Sequence, residues 1–355
     1  MRKLAYGFFQ LLNSMNLPKT RKIILLIGTI LIVGLVFYVF VNREKVPQIT
    51  EAAPPVPKPI IEIPGNDIST LSTRFSISES LFPTVKKLSV YSWEDTPIFS
   101  NFSEAAAFAA SLDLKDYQAV KDVFDGEIYL FTQDSAGLST PKSFAQLSYL
   151  DGVREGSYVQ SSSASIPSKE EAVEEAKKFI DKNGFDSSLL SVNEATLNYL
   201  QYQKSEPPLF PTNSKDEARA VQVEFQMAIN NYPIYAALSR EYAMQFVIGP
   251  AGKVIGLKMR NLGKVGEVLG EYPLKNRQEA VAALEAGEGK LVFTNDIPLG
   301  DLKEFTATKV YLAYLQSKEE TLQPIFVLEG FGVVGESKMD KVILYLPAIA
   351  DKYLQ

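Results

Sequence analysis

The sequence predicts an α+β protein: one N-terminal transmembrane helix, then a body of repeated units in which a helix packs on an antiparallel sheet. Three observations predict this class. Residues 23–41 form an uncharged apolar run, strand-length apolar segments recur beyond residue 68, and two helical patterns begin about a hundred residues apart. A chain of 355 residues is long enough for two or three domains with sizeable cores.

The apolar run at residues 23–41 has the length of a membrane span. Nineteen helical residues cover about 30 Å, the thickness of the hydrocarbon core. Lys19, Arg21 and Lys22 directly precede the run, which places the N-terminus in the cytoplasm. The alternative, a cleaved signal peptide, is disfavoured because residues 41–45 make a poor cleavage site.

The sequence therefore predicts a single-pass protein of the cell membrane, anchored in the lipid bilayer by residues 23–41. Residues 1–22 become a cytoplasmic tail and the body becomes extracytoplasmic. Residues 4–17 fit either an interfacial amphipathic helix or a frayed tail. Residues 42–65 are a Pro-rich linker, which fits either an extended stalk or a tether without a specified span.

Charge and composition exclude several classes of function. Residues 1–45 contain seven basic residues and one acid, a net charge of +6; the whole chain carries −6, so residues 46–355 carry −12. An acidic body without a basic stripe argues against nucleic-acid binding. The chain contains no Cys and no His. It therefore lacks disulfides, thiol nucleophiles, and the commonest general base and metal ligand.

The body is predicted to comprise an N-terminal α+β domain at 66–165 and two similar units at 166–270 and 271–355. Helices are predicted at 103–112, from Ser168 with a capping box to Glu171, and at 276–285. The sequence leaves open whether 66–165 is a separate domain or a diverged third copy. Strands are predicted at 86–93, 126–133, 143–150, 199–202, 221–228, 242–248, 254–259, 311–314, 324–328 and 341–346.

Three segments, residues 220–236, 244–259 and 310–330, resemble the extracytoplasmic domains of the YycH/YycI regulatory proteins and the wider PepSY-like group. The likeness lies in an aromatic-rich strand, the step at Pro233 and Ile234, a Gly turn and a late aromatic strand. It spans about residues 166–355. The resemblance implies a non-enzymatic regulator that contacts a membrane-embedded sensor kinase.

The motifs that carry chemistry are sparse. Ser139 and Lys142 have Ser-x-x-Lys spacing, but no Lys-Thr-Gly follows and the segment is rich in turn residues. Ser191 and Asn193 match Ser-x-Asn equally weakly. Residues 249–253 and 330–335 are predicted to be glycine turns. No catalytic or cofactor-binding residue is assigned.

Asp122, Asp125 and Glu127 are the candidates for a hard-cation site. They lack the alternating acid spacing of a calcium loop, and exposed acids usually form solvated loops. No metal ligand is therefore assigned.

Two tyrosine pairs, Tyr199 with Tyr202 and Tyr311 with Tyr314, form Tyr-Leu-x-Tyr motifs. They could belong to a recognition surface, since aromatic residues dominate interface hot spots. They could equally pack beneath the helices with their hydroxyls at the rim.

Three classes of function fit these observations. The first is a membrane-anchored, extracytoplasmic, non-enzymatic regulator or interaction module that acts on a sensor kinase or an envelope complex. The alternative is an envelope scaffold that binds cell wall or a secretion apparatus. The third, a hydrolase that uses carboxylates alone, needs two acids about 5–10 Å apart in a groove.

Overall fold

The computed structural model describes residues 55–58, 73–122, 126–152, 165–202, 209–236, 242–260, 263–294, 302–317 and 320–354. These ranges belong to one compact unit, Pro54–Gln355. The predicted cytoplasmic tail, the predicted transmembrane helix and most of the predicted linker lie outside the described residues.

Each α-helix in the described ranges begins at a side chain that caps it. The helices are α1 Phe102–Ser111, α2 Lys169–Lys182 and α3 Arg277–Glu285. Asn101, Ser168 and Asn276 accept a hydrogen bond from the backbone N–H three residues later, which satisfies a donor that the first turn leaves unpaired. All three predicted helices, including the capping box from Ser168 to Glu171, are confirmed.

The strands of the described residues fall into two nine-stranded sheets. Every predicted strand overlaps an observed one. In chain order the strands are β1 Arg74–Ser76, β2 Lys87–Glu94, β3 Asp116–Asp122, β4 Gly126–Gln133, β5 Ala136–Pro141, β6 Leu147–Asp151, β7 Thr196–Tyr202, β8 Leu209–Thr212, β9 Ala218–Phe225, β10 Ala228–Ile229, β11 Tyr232–Ala236, β12 Met244–Ile248, β13 Val254–Met259, β14 Lys264–Pro273, β15 Lys290–Thr294, β16 Leu302–Gln316, β17 Thr321–Val334 and β18 Ser337–Pro347.

Sheet A has the order β3-β4-β5-β6-β13-β12-β9-β7-β8, and all its neighbouring strands are antiparallel. Helices α1 and α2 cover one of its faces. Ala109, Ala176 and Ile180 pack there against Val223 and Phe246, all fully or almost fully buried. Small alanines on both helices let the backbone approach the sheet closely.

Sheet B contains the order β10-β11-β16-β17-β18-β15, with β1 beside β16 and the β2–β14 pair beside β17. Helix α3 covers one face, where Leu284 packs in one cluster with Phe326 and Leu344. The other face carries a second cluster that includes Ile325 and Tyr345. Residues 312–315 of β16 and 321–328 of β17 are continuously buried, because both faces of the sheet are covered there.

The hairpin β10–β11 links the two sheets. The chain leaves sheet A after β9, forms this hairpin, and places β11 beside β16 of sheet B before β12 returns to sheet A. Trp93, Met227 and Tyr314 pack together at this crossing. The junction is therefore a shared core between the sheets.

The predicted α+β class is wrong, because the structure is mostly β with two large sheets. The predicted PepSY-like repeat units, each with its own sheet, are corrected by the strand pairing. Strand β6, from the predicted 66–165 domain, pairs with β13, and β1 and β2 join β16 and β17. Antiparallel partners can lie far apart in sequence, so local patterns located the strands but not their sheets.

The prediction of a single-pass membrane protein is also corrected. Within the described part of the chain, no helix is long and apolar enough to cross a membrane. The longest α-helix there, α2, has 14 residues, about 21 Å, whereas a span needs about 20 residues. The predicted anchor at 23–41 lies outside the described residues, and the cell-membrane localisation, with a cytoplasmic N-terminus and an extracytoplasmic body, finds no support in the structure.

A short part of the predicted linker, residues 55–58, packs against the body. Val56 is buried, and its N–H donates to the carbonyl of Tyr353 at 2.9 Å. The side-chain amide of buried Gln323 donates to the carbonyl of Pro57 at 2.9 Å. These residues are therefore fixed beside β17 and the C-terminal segment.

Candidate functional site

An open groove with a volume of about 990 Å³ lies beside β16. Its floor is the middle of β16 and the neighbouring parts of β17 and β18, and its walls come from β11, the segment before β2 and the ends of sheet A strands. The lining residues are Pro83, Thr84, Val85, Glu194, Thr196, Gln226, Asn231, Tyr232, Pro233, Tyr235, Tyr242, Lys309, Val310, Tyr311, Leu312, Glu329, Lys341 and Ile343.

The groove opens where one edge of β16 lacks a neighbour. On one side β16 pairs with β17 along its whole length. On the other side β1 pairs only with residues 304–306 and β11 only with residues 314–316. Residues 307–313 therefore have no strand partner on this side among the described residues, a gap of roughly 23 Å at 3.3 Å per residue.

The two flanking strands end at fixed points, so neither closes the gap. After β1, the carbonyl of Ile77 accepts a hydrogen bond from Nε of Arg277 at 3.0 Å, and the chain turns into a short 3₁₀ helix. Before β11, Asn230 and Asn231 have φ of 51° and 67°. Positive φ at both central residues defines a tight hairpin turn, which sets the first residue of β11.

A row of tyrosine hydroxyls crosses the floor of the groove. The hydroxyl of Tyr311 donates to Oε1 of Glu329 at 2.8 Å, and the hydroxyl oxygens of Tyr235 and Tyr311 are 3.1 Å apart. Because Tyr311 uses its one proton on Glu329, Tyr235 is the donor to Tyr311. The Tyr235 ring stacks on Tyr345 with centroids 5.7 Å apart, which holds the row in place.

Lys309 places an exposed positive charge at the unpaired edge. Its Nζ lies 4.6 Å from the ring centroid of Tyr311, a cation–π contact. No acid of the described residues lies within ion-pair distance of this ammonium group. The groove therefore offers a cation to a ligand without first breaking a salt bridge.

The two tyrosine motifs do not form one surface. Tyr311 lines the groove, whereas Tyr314 is buried and its hydroxyl donates to the carbonyl of Ser89 at 2.9 Å. Burial raises the pKa of Tyr314 well above the ordinary tyrosine value. Tyr199 and Tyr202 lie on β7 of sheet A, where Nζ of Lys169 is 5.0 Å from the Tyr199 ring centroid.

The Ser-x-x-Lys pair lies on a strand and the turn after it. Ser139 is within β5 and pairs with Leu130 and Ser148 of the neighbouring strands. Nζ of Lys142 points to Oε2 of Glu127 at 3.1 Å, and this contact raises the pKa of the lysine. Ser191 and Asn193 lie at a 3₁₀ helix next to Glu194, not at the start of a buried α-helix.

The acidic candidates are not gathered around one point. Asp122 ends β3, Glu127 is engaged by Lys142, and Asp125 lies outside the described residues. Among the residues that the structure describes, no group of three or more Asp, Glu, His or Cys side chains could hold a metal ion.

The two predicted glycine turns differ in outcome. Residues 249–253 join β12 to β13, and the N–H of Gly249 donates to the carbonyl of Lys253 at 2.8 Å, as expected of a turn. Gly330 and Gly332 instead lie inside β17, and the turn falls at Gly335, where φ is 61°. A Cβ on Gly330 would lie 2.0 Å from the carbonyl oxygen of Thr306, so the close approach of β16 and β17 beside a bulge, not a turn, requires this glycine.

The sequence did not predict most of the residues that define the groove. Tyr311 was a candidate, but Lys309, Glu329 and Tyr235 carry no local motif. The groove arises where β1 and β11, from distant parts of the chain, stop short of each other. The two consecutive polar residues Thr308 and Lys309 were the one local signal of an exposed stretch here.

By its fold class, the described part of the chain is a mostly β protein with two nine-stranded sheets. No protein-family model matches the chain, and no curated protein matches it. Among solved structures, the chain is similar to an uncharacterized protein from Eubacterium rectale. The two are 15% identical, the match covers 79% of this chain and 89% of that chain, and the TM-score is 0.47.

Proposed function

We propose that this chain is a non-enzymatic interaction module that binds a segment of a partner protein in the groove beside β16. One observation carries the proposal: the edge of residues 307–313, which pairs with no strand of the described residues on this side, opens into a cavity of about 990 Å³. Cavities of this size hold ligands of a few hundred daltons or short peptide segments. A regulatory partner such as a sensor kinase, which the family resemblance implies, stays a prediction.

The lining of the groove supports binding to a protein. It combines tyrosine rings, the exposed lysines Lys309 and Lys341, and an apolar rim that includes Val85, 36% exposed. Tyrosine is enriched at interfaces because its ring buries a large area while its hydroxyl keeps a polar partner. The absence of His and Cys from the sequence supports the non-enzymatic part of the proposal.

A displayed library of random 12-residue peptides, panned on the full chain, tests this function. Peptides that bind the groove should lose binding to Lys309→Glu, which reverses the charge at the edge. Lys303→Glu is the matched control, because it makes the same change at an exposed position of the same strand outside the groove lining. We expect at least a tenfold weaker Kd for Lys309→Glu and less than a twofold change for Lys303→Glu.

Two results would contradict the proposal. One is a library that yields no peptide with reproducible affinity for the full chain. The other is a set of peptides whose affinity falls equally in the two variants, since that would reflect net charge and not the groove. Circular dichroism of both variants checks that each is folded.

A further inference from the structure

We propose that the groove takes its peptide as an added β-strand, which pairs with residues 307–313 of β16 and sets an acidic side chain against Lys309. The inference rests on the proposed function and specifies its ligand: a short extended segment of a partner protein with alternating acidic and apolar residues. Three observations carry it. They are the unpaired backbone of residues 307–313, the different side chains on the two faces of this edge, and the positive charge of Lys309 on one face.

Some backbone N–H and C=O groups of residues 307–313 pair with no strand among the described residues. Successive residues of a strand direct their N–H and C=O groups to opposite sides. A bulge between Ala307 and Lys309 interrupts this alternation. It therefore applies to residues 309–313, of which two or three point their N–H and C=O groups away from β17 and toward the groove. The sequence from residue 302 to 316 contains no proline, so none of these N–H donors is missing. Such an unpaired row is a template for strand addition.

The gap has the dimensions of a short strand. Ile77 follows β1 next to residue 307, and Tyr232 and Pro233 extend β11 beside residues 312 and 313. The fully open part is therefore residues 308–311, about 13 Å long at 3.3 Å per residue. This length suits four central residues of a peptide, whose ends leave through the open side of the groove.

The two faces of the edge differ in chemistry. Lys309 and Tyr311 project to the face that also carries Glu329, as their contacts show. Val310 and Leu312 project to the opposite face, where they belong to the apolar cluster beneath α3. Side chains of an added strand alternate in the same way. The peptide should therefore place an acid beside Lys309 and an apolar residue beside Val310, near Val85.

The positive charge of Lys309 favours an acidic residue at the neighbouring position of the peptide. The ammonium group of Lys309 is exposed and rests on the Tyr311 ring without an acidic partner among the described residues. A carboxylate across an edge position can form a charged pair with it, and opposite charges on neighbouring strands stabilise the pairing. A basic residue at the same position would meet a like charge and be rejected.

A backbone methylation scan tests strand addition. The probe is the tightest 12-residue peptide that the library selection yields, synthesised with one N-methylated amide at a time and titrated against the full chain. N-methylation removes a single donor, so strand addition predicts losses of about tenfold at every second position of the central segment and less than twofold between them. A loss pattern without this period of two would overturn strand addition.

Two further readouts locate the contact and the charge. Amides within residues 307–313 should exchange hydrogen at least tenfold more slowly when the full chain is saturated with the peptide. Replacing the peptide's acid with lysine should weaken binding to the wild type at least tenfold, and Lys309→Glu should restore it. Unchanged exchange at residues 307–313, or no restoration, would count against the inference.

The outcomes separate this inference from the function on which it rests. If binding depends on Lys309 but the methylation scan shows no period of two, the groove is still an interaction site and strand addition is excluded. A library without any binder overturns the proposed function and this inference together. A periodic scan with protection of residues 307–313 supports both.

Discussion

Nζ of Lys275 lies 2.5 Å from Oδ1 of Asp351, and the lysine side chain is fully buried whereas the aspartate is 61% exposed. The same ammonium group donates to the carbonyl oxygens of Ile349 at 2.8 Å and Pro347 at 3.3 Å. A buried charge is tolerated only when it is paired and hydrogen-bonded. Lys275 meets both conditions, and it ties the start of α3 to the segment that follows β18.

Replacing Lys275 should destabilise the fold strongly. Lys275→Met keeps much of the side-chain volume but leaves two carbonyl groups and Asp351 without their donor, at a cost of about 3 kcal/mol. Urea unfolding followed by circular dichroism measures the loss. Lys352→Met, at an exposed lysine nearby, is the control and should change the free energy of unfolding by less than about 0.5 kcal/mol. Equal unfolding midpoints for the two variants would show that the buried contacts contribute nothing.

Gly330 should tolerate no side chain. A Cβ at this position would lie 2.0 Å from the carbonyl oxygen of Thr306 and 2.8 Å from its carbonyl carbon. Because both are backbone atoms of β16, relief requires the two strands to separate. We expect Gly330→Ala to lower the free energy of unfolding by about 3 kcal/mol or more.

Gly137 is the matched control for Gly330, since it also lies inside a strand. A Cβ there meets nothing closer than 3.8 Å. Gly137→Ala should leave the free energy of unfolding unchanged or raise it by about 0.5 kcal/mol, because it restricts the unfolded chain. Similar urea midpoints for Gly137→Ala and Gly330→Ala would contradict the close approach of β16 and β17.

Local features of the sequence predicted local structure. The capping box at Ser168 is formed within four residues, so its residues determine it without help from the rest of the chain. The pairing of Phe75 with Phe305 is parallel and joins segments 230 positions apart, so no periodicity within either segment reports it. The groove beside β16 depends on such pairings, which is why only Tyr311 among its key residues was anticipated.

Acid should weaken the capping box of α2. The N–H of Ser168 donates to Oε2 of Glu171 at 2.7 Å, and this bond, with a second from the hydroxyl, holds the pKa of Glu171 below its ordinary value. A carboxyl whose pKa is lower in the folded state stabilises the fold above its unfolded pKa. That contribution is lost as the pH falls through the lower folded value. Its window therefore lies at and below about pH 4.3, the ordinary glutamate value.

The pH dependence is measured by comparing the wild type with Glu171→Gln. We expect the wild type to have the higher urea midpoint at pH 7 and the difference to shrink at pH 3. Glu170→Gln removes a carboxylate from the same turn without a hydrogen bond to Ser168, so it controls for charge near the positive end of the helix. A difference that is constant from pH 7 to pH 3 would contradict the assigned role of Glu171.

The hydroxyl row in the groove should contribute to stability through Tyr311. Tyr311→Phe removes the donor to Glu329 and the acceptor for Tyr235, and both of these partners are partly or wholly buried. Each hydrogen bond of this kind contributes about 1 kcal/mol to the free energy of unfolding. Tyr199→Phe is the control, because the Tyr199 hydroxyl makes no hydrogen bond with the described residues. We expect a lower urea midpoint for Tyr311→Phe and an unchanged one for Tyr199→Phe; the reverse order would show that the row is held by ring packing and not by its hydrogen bonds.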